Sequence, residues 1–399
     1  MIAALREKWH KTRLIGRLSN RWMGKMNQRI EWLEAGLRQS ADWRSEAGVA
    51  PHQTIVIGND RLGVDAAWRL IEAGTAILWR GDWQNARRLL LTLTTRVDRL
   101  PCPDKRPAGA AASFAQQRRV QARRASLLGL LLVPLAADYS IPLRRAQDVK
   151  QACSEAYGAG MADSLVSLRE LLAVISAHEW RKKGIPVPAL EGRIYPHFGV
   201  FSPLRGDYVD LVAAAPLPAD CTLAFDIGTG SGILAALLAH RGIPALVATD
   251  QDERALRCAG ENLQKAALTA NIRILKADLF PPGRASLVVC NPPWLPGQPS
   301  SPLEYAVYDP DSRMLRGFLA GLAAHLTAGG EGWLILSDLA EHLGLRTRTA
   351  LLTMIKESGL VVVGRIDTRP THPKAKNAGD PLHAARAAEI TSLWRLAAA

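Results

Sequence analysis

Three glycines at alternate positions follow a short apolar run in this 399-residue chain. They lie in Asp226-Ile-Gly228-Thr229-Gly230-Ser-Gly232, and the apolar residues 233–240 come directly after them. Glycines let a backbone turn sharply and approach a ligand, and the amides at the start of a helix favour its polar groups. The third glycine comes one residue too early for the dinucleotide fingerprint G-x-G-x-x-G. This spacing favours S-adenosyl-L-methionine as the ligand.

Three aspartates stand at the ends of three successive apolar runs. Asp226 closes the first run, Asp250 the second, and Asp278 follows the third. We expect Asp250 to accept hydrogen bonds from ribose hydroxyls, with Asp252 as a weaker alternative, and Asp278 to accept from the adenine amino group. Their order along the chain predicts one cofactor pocket.

The residues Asn291-Pro292-Pro293-Trp294 follow the fourth apolar run. The lone pair of an amide or aromatic amine is delocalised, so a catalyst must hold the NH2 group and turn that lone pair towards the methyl donor. The Asn291 side-chain oxygen and the Pro292 carbonyl are suitable acceptors, while Trp294 offers a stacking face. Pro292 and Pro293 fix the direction of the carbonyl. The motif predicts methyl transfer to a planar nitrogen, for which neither a general base nor a metal is needed.

The elements that carry these motifs alternate short β-branched runs with helices rich in Ala and Leu. This rhythm predicts a doubly wound, Rossmann-like α/β domain with a largely parallel sheet of seven strands. The predicted strands are 223–225, 246–249, 272–275, 287–289, 333–336, 360–363 and 389–396.

The N-terminal half has a different pattern and is predicted to be mainly helical. Tryptophans and leucines at helical spacing predict two amphipathic helices in residues 1–48, and short strands are expected at 54–58 and 75–79. Further helices are expected at 62–73, 83–100, 116–132 and 162–183, and the apolar residues 127–137 are read as a buried helix. The predicted domains are 1–187 and 188–399.

Charge and composition limit the function classes. Residues 201–399 hold equal numbers of basic and acidic residues, so the whole net charge of +13 falls in residues 1–200. Such asymmetry is typical of an RNA-binding or other acidic-partner surface, although a solvated basic face has the same composition. Scattered cysteines indicate no zinc site, and the absence of a long apolar run or secretory signal predicts a cytoplasmic protein without membrane contact.

Together these motifs resemble the class I methyltransferases that use S-adenosyl-L-methionine. The similarity is greatest to the release-factor glutamine methyltransferases and their ribosomal-protein relatives, and it runs from about Pro196 to Val363. It implies that Asn291 to Trp294 correspond to the N-P-P-Y signature, with Trp in place of Tyr. It also implies cofactor contacts at the following residues: Asp226, Gly228, Thr229, Gly230, Gly232, Asp250, Asp278 and Asn291.

The resemblance also indicates an acceptor pocket. The segment 199–205 is similar to the one that shapes this pocket, which implies roles for Phe201 and Arg205, and Tyr305 lies in the segment expected to close over the acceptor. Arg369 begins a basic loop expected to border the same pocket.

We expect a macromolecular partner, and three interpretations of its role remain open. A protein glutamine side chain is favoured over the exocyclic amine of adenine or guanine in RNA or DNA. Trp294 and the long basic N-terminal half support the nucleic acid. A cofactor-binding assembly factor without activity is the third interpretation, and the intact Asn291 to Trp294 motif argues against it.

Overall fold

The computed structural model describes residues 28–101, 109–202, 206–266, 268–299, 302–370 and 379–399. The chain divides into two compact units. The first unit consists of residues 1–95, 127–150 and 159–171, and the second of residues 96–126, 151–158 and 172–399. Part of the N-terminal half therefore belongs to the second unit.

The β-strands of the described ranges are as follows: β1 Arg29–Glu34, β2 Leu37–Arg44, β3 Ile55–Gly58, β4 Ala76–Trp79, β5 Leu131–Leu135, β6 Ser164–Ser167, β7 Ile185–Val187, β8 Gly192–Ile194, β9 Leu223–Ile227, β10 Ala245–Asp250, β11 Asn271–Lys276, β12 Ala285–Cys290, β13 Leu326–Ser337, β14 Leu360–Thr368 and β15 Thr391–Ala398.

The α-helices of the same ranges are as follows: α1 Val64–Glu72, α2 Trp83–Asp98, α3 Ala110–Leu128, α4 Lys150–Tyr157, α5 Leu168–Lys183, α6 Asp207–Ala214, α7 Ile233–His240, α8 Glu253–Lys265, α9 Arg313–His325, α10 Leu339–His342, α11 Arg348–Glu357 and α12 His383–Ala388. Short 3-10 helices occupy Pro188–Leu190, Pro302–Ala306 and Pro310–Ser312.

The first unit is built on a six-stranded sheet in the order β1-β2-β6-β5-β4-β3. The prediction of a mainly helical N-terminal domain was therefore wrong in architecture. The strands and helices predicted between residues 54 and 100 are confirmed, but the two strands, β3 and β4, belong to this larger mixed sheet. Its other strands were missed because short strands leave a weaker pattern than long helices.

A β-hairpin replaces the second of the two helices predicted in residues 1–48. β1 and β2 pair antiparallel around Ala35 and Gly36, whose φ angles are +52° and +79°. Two central residues with positive φ are typical of a tight hairpin turn. The side chains of β1 alternate, with Ile30 buried and Arg29 and Glu31 exposed, so the period is two rather than 3.6. Residues 1–27 lie outside the described residues.

The apolar residues 127–137 contain a helix end and a strand. α3 ends at Leu128, and β5 covers Leu131–Leu135, all of whose residues are buried. A short continuous apolar run fits a buried strand as well as a buried helix, and the prediction chose the helix. In the same way, the helix predicted for 162–183 begins with the strand β6 before α5.

The second unit has a seven-stranded sheet in the order β11-β10-β9-β12-β13-β15-β14. Neighbouring strands from β11 to β13 pair in parallel, whereas β15 is antiparallel to both β13 and β14. Each strand predicted beyond residue 188 coincides with a strand of this sheet, which confirms the α/β prediction for this part of the chain.

Successive residues of the central strands supply the cores on the two sides of the sheet. Leu287 and Val289 of β12 belong to a buried cluster with α6 and α7, while Val288 and Cys290 belong to a second cluster with α9 and α11. Strands that are buried on both faces lack a polar side, which explains their continuous apolar sequences. The helices on both faces leave the carboxyl ends of the parallel strands for the connecting loops.

Candidate active site

The glycine loop, residues 228–232, connects the central strand β9 to α7. Gly228, Gly230 and Gly232 have φ angles of +71°, +55° and +81°, a backbone region that favours glycine. A Cβ atom on Gly232 would lie 3.0 Å from the Ala259 Cα atom of α8, so the loop approaches that helix closely. A Cβ atom added to Gly230 would have only the Gly228 carbonyl oxygen within 4.0 Å. This leaves space above Gly230 for a ligand.

Asp226 lies beneath this loop and does not face its open side. Its Oδ2 atom accepts hydrogen bonds from the Thr229 hydroxyl at 2.6 Å and from the Ala235 amide at 3.1 Å. The side chain is buried, and this burial raises the pKa of the carboxyl group to about 6. Asp226 and Thr229 therefore join the strand end, the loop and the first turn of α7.

Asp250 supports the loop from the neighbouring strand β10. Its Oδ2 accepts from the Gly230 amide at 3.1 Å and its Oδ1 from the Asp252 amide at 2.9 Å. Burial raises the pKa of the Asp250 carboxyl group. Because a carboxylate has about four acceptor sites, a ligand hydroxyl can bind this group in addition to the backbone amides. Asp252, the alternative ribose ligand, caps α8 instead by accepting from the Arg254 amide at 2.9 Å.

Asp278 follows β11, and its carboxylate is more accessible than the other two. Its side chain is 61% exposed and forms an ion pair with Arg313 of α9, with 2.7 Å between Nη2 and Oδ2. Exposed ion pairs contribute little stability, so a ligand amino group can compete for this carboxylate. Nothing in the sequence pattern identified Arg313.

The Asn291 to Trp294 motif begins beside the glycine loop. β12 and β9 are adjacent and parallel, and Cys290 pairs with Ile227, so Asn291 and Gly228 leave the sheet at the same level. The chain order reverses here, since β10 and β11 extend to one side of β9 and β12 lies on the other. Ligands of doubly wound sheets bind at such a switch point, beyond the carboxyl ends of the strands.

Within the motif, the tryptophan side chain holds the asparagine side chain. The Trp294 indole N–H donates to Asn291 Oδ1 at 2.9 Å, which fixes the orientation of the amide and leaves one lone pair on its oxygen. The Trp294 carbonyl accepts from Arg346 Nη2 at 3.4 Å. Arg346 is buried, and its Nε has no hydrogen-bond partner among the described residues. Burial lowers the pKa of this guanidinium.

The acceptor loop, defined as residues 295–299 and 302–309, returns the chain from the motif to α9. Leu295 donates to the Val307 carbonyl at 3.2 Å, and Asp309 donates to the Leu295 carbonyl at 2.8 Å. The Asp309 carboxylate accepts from the Met314 amide at 3.0 Å and so begins α9. The loop is therefore tied to both the motif and the helix that carries Arg313.

The residues predicted to bind the acceptor are dispersed. Phe201 is partly buried and packs against the core on the α7 side, and Tyr305 is exposed on the acceptor loop. Arg205 lies outside the described residues. Arg369 is exposed at the end of β14, on the same edge of the sheet as the motif but three strands from β12, roughly 14 Å at the usual strand spacing.

The tryptophans of the N-terminal half that the structure describes are mostly buried, and Trp9 and Trp22 lie outside the described residues. Trp43, Trp68, Trp79 and Trp83 are buried, whereas Trp180 is 46% exposed. Within the described ranges, no helix combines the length and the apolar character that crossing a bilayer requires.

Comparison with known proteins gives a family match in the second half of the chain. Residues 191–353 match the family described as the methyltransferase small domain. A tRNA1(Val) (adenine(37)-N6)-methyltransferase from Pedobacter heparinus is 31% identical over 134 residues, which cover 30% of this chain and 57% of that protein. A release factor glutamine methyltransferase from Cereibacter sphaeroides is 28% identical over 152 residues, which cover 35% of this chain and 52% of that protein. The chain thus spans about half the length of these curated relatives.

Solved structures align with about half of the chain. A methyltransferase from Pyrococcus furiosus covers 58% of this chain and 99% of its own, with 17% identity and a TM-score of 0.37. A methyltransferase from Thiobacillus denitrificans in complex with S-adenosyl-L-homocysteine covers 48% and 90%, with 14% identity and a TM-score of 0.32.

Proposed function

We propose that this chain, whose residues 191–353 match the methyltransferase small-domain family, transfers a methyl group from S-adenosyl-L-methionine to a planar nitrogen of a macromolecule. The observation that carries this proposal is the pairing of Cys290 with Ile227, which starts the Asn291 to Trp294 motif beside the glycine loop. A donor held by one loop and an acceptor held by the other would then meet at the switch point of the sheet.

The residues around the glycine loop fit this cofactor. The positive φ angles of Gly228, Gly230 and Gly232 and the space above Gly230 provide a cradle for its amino acid part. Asp250 would accept from the ribose hydroxyls and Asp278 from the adenine amino group. Asp226 and Thr229 would act by holding the loop rather than by direct contact, because their polar atoms bind each other.

The acceptor nitrogen would be held by the motif. Asn291 Oδ1, already fixed by the Trp294 indole, would accept one N–H of the acceptor, and the Pro292 carbonyl would accept the other. Trp294 would stack on the planar group. The bound cofactor supplies a methyl group activated by its sulfonium. The held nitrogen would take this methyl group as the S–C bond breaks, and it would then release one proton to solvent.

For the acceptor itself, a protein glutamine side chain remains our first candidate. An exocyclic amine of RNA or DNA is the second, favoured by Trp294 in the fourth motif position and by the net charge of the N-terminal half. The relatives named above act on both kinds of acceptor. In this proposal residues 188–399 form the catalytic domain and residues 1–187 recognise the substrate. Phe201, Arg205, Tyr305 and Arg369 would contact the acceptor.

The test uses the purified chain, tritiated cofactor and a lysate of cells that lack the protein. Protein-bound label that resists nuclease supports a glutamine acceptor, and label removed by nuclease supports a nucleic acid. Asn291→Ala serves as the matched inactive control. Equal labelling by the wild type and this variant, or no labelling above background with the wild type, would overturn the proposal.

A further inference from the structure

A helix from the N-terminal half packs against the acceptor loop inside the second unit. Phe114 of α3 is buried in one cluster with Leu295 of the loop and with Leu339, Leu343 and Leu382. Its ring centroid lies 6.3 Å from that of Tyr308. The contact joins residues far apart in the sequence, and the family match begins only at residue 191. α3 is therefore an addition to the matched domain that reaches its acceptor side.

Arg118 of α3 is bound to the acceptor loop through three residues. Its guanidinium donates to both Glu304 carboxylate oxygens, at 3.0 and 2.9 Å, and to the Gln298 carbonyl at 2.9 Å. It also lies 4.1 Å from the centroid of the Tyr308 ring. We name Arg118, Gln298, Glu304 and Tyr308 the Arg118 clamp.

This arrangement differs from an ordinary surface ion pair. The Arg118 and Glu304 side chains are 19% and 27% exposed, so solvent reaches them only in part. A planar guanidinium that binds a carboxylate with two parallel hydrogen bonds fixes direction as well as distance. The additional carbonyl and aromatic contacts place it between the two described parts of the loop.

The clamp is connected to the catalytic motif by a short path. Tyr308 pairs with Leu295 as an isolated β-bridge, and Leu295 directly follows Trp294. Movement of Tyr308 would therefore be transmitted through one residue to the tryptophan that orients Asn291.

We propose that Arg118 is a positioning residue for the acceptor: it holds the acceptor loop in the conformation that presents Trp294 and Asn291. This inference rests on the proposed function. It assigns to α3 the shaping of the acceptor pocket, and it separates that role from cofactor binding, because the glycine loop has its own supports in Asp226 and Asp250.

The test compares Arg118→Ala with Arg123→Ala, an exposed arginine on the same helix. For Arg118→Ala we expect the Michaelis constant for the acceptor to rise about 10-fold or more, because charge-assisted hydrogen bonds are lost. The affinity for the cofactor should remain unchanged, and Arg123→Ala should behave as the wild type. A purely structural role would alter cofactor affinity and unfolding midpoint together with the acceptor constant.

A charge exchange keeps the proposal testable if Arg118→Ala folds poorly. Arg118→Glu and Glu304→Arg should each speed hydrogen exchange of the 302–309 peptide, and the double variant should restore its protection. Arg118→Lys should restore only part of it, since an ammonium cannot form the two parallel bonds. This exchange measurement needs no acceptor, so failure to find methylation would count against the proposed function alone. Unchanged exchange in both single variants, or acceptor kinetics of Arg118→Ala equal to those of Arg123→Ala, would overturn the clamp.

Discussion

The glycine loop and the Asn291 to Trp294 motif, which continues into the acceptor loop, leave adjacent strands at the same level of one sheet, yet they are held in different ways. The glycine loop is supported by Asp226 at the end of its own strand and by Asp250, 20 residues beyond Gly230. The Asn291 to Trp294 motif is held by Arg346, 52 residues beyond Trp294, and the acceptor loop that follows it by Arg118, 186 residues before Glu304. The first loop is thus a local construction, and the second is assembled from distant parts of the chain.

This difference determines which substitutions can alter acceptor specificity without affecting the cofactor site. Substitutions in α3 or around Arg346 can alter the acceptor loop while the carboxylates under the glycine loop stay in place. Substitutions under the glycine loop affect every acceptor equally, because they act on the shared cofactor. The following expected results test this separation, from the largest effect to the smallest.

Gly228→Val should weaken cofactor binding most strongly. Valine is strained at a φ of +71°, and its Cβ atom would lie 2.5 Å from the Met314 methyl group. Backbone strain together with the filled space should weaken cofactor binding at least ~100-fold by calorimetry. The matched control is Gly242→Val, which has a φ of +92° and open space around its Cβ position. Equal losses in the two variants would mean that strain alone, and not the loop, is responsible.

Asn291→Ala should lower turnover without changing cofactor affinity. Losing one positioned polar group in a transition state lowers turnover by about 100-fold or more, while calorimetry should show near-normal cofactor affinity. Asn271→Ala, at an exposed position on β11, is the control for asparagine removal. Turnover retained in Asn291→Ala would show that the amide oxygen does not hold the acceptor.

Asp226→Asn should change the pH dependence of stability. The pKa of Asp226 is about 6 in the folded chain against an ordinary 3.8, so its charge opposes folding above pH 6. This cost is relieved as the pH falls from 6 towards 4, since the folded state then takes up a proton that the unfolded state does not. Relative to Asp226→Asn, the wild type should gain on the order of 2 kcal/mol between pH 7.5 and pH 4.5. Urea unfolding at both pH values measures this difference, and a constant gap would contradict the raised pKa.

Trp294→Phe should test whether the indole N–H is needed for turnover. Phenylalanine keeps an aromatic face but loses the indole N–H that fixes Asn291, so we expect turnover to fall about 10-fold. Trp294→Tyr, which restores the tyrosine of the N-P-P-Y signature, should show the same loss if the indole donor matters. Trp180→Phe, at an exposed tryptophan, is the control. Full activity of both Trp294 variants would leave stacking as the only role of the side chain.

The parts of the fold that sequence predicted are those with local causes. The strands beyond residue 188 coincide with observed strands because each is a buried apolar run bounded by turn residues. The three glycines have the backbone angles that only glycine adopts easily, which explains why their spacing was informative. The loop roles of Asp226 and Asp252 were not predicted, because hydrogen-bond direction depends on neighbouring backbone.

The parts that sequence missed depend on pairings between distant residues. β1 and β2 were assigned to a helix because tryptophans and leucines at roughly helical spacing outweighed the alternation around Ile30. Arg118 and Arg346 have no motif around them, and only the folded chain brings them to the acceptor loop and to Trp294. Arg369 was predicted to border the acceptor pocket. It lies at the same edge of the sheet as the motif, as expected, but β14 is three strands away from β12.

The position of β15 bears on how the chain folds during synthesis. β15 is inserted between β13 and β14, so the described sheet offers β14 no other neighbour. While residues 391–398 remain in the ribosome, β14 cannot pair, and the backbones of Val361 and Val362 lack their partners Ala397 and Leu396. β9 to β13 can assemble earlier, because their parallel pairing requires only residues already made. Assembly of the second unit thus ends with a late antiparallel insertion, and nascent chains paused before residue 391 should be the ones most exposed to aggregation.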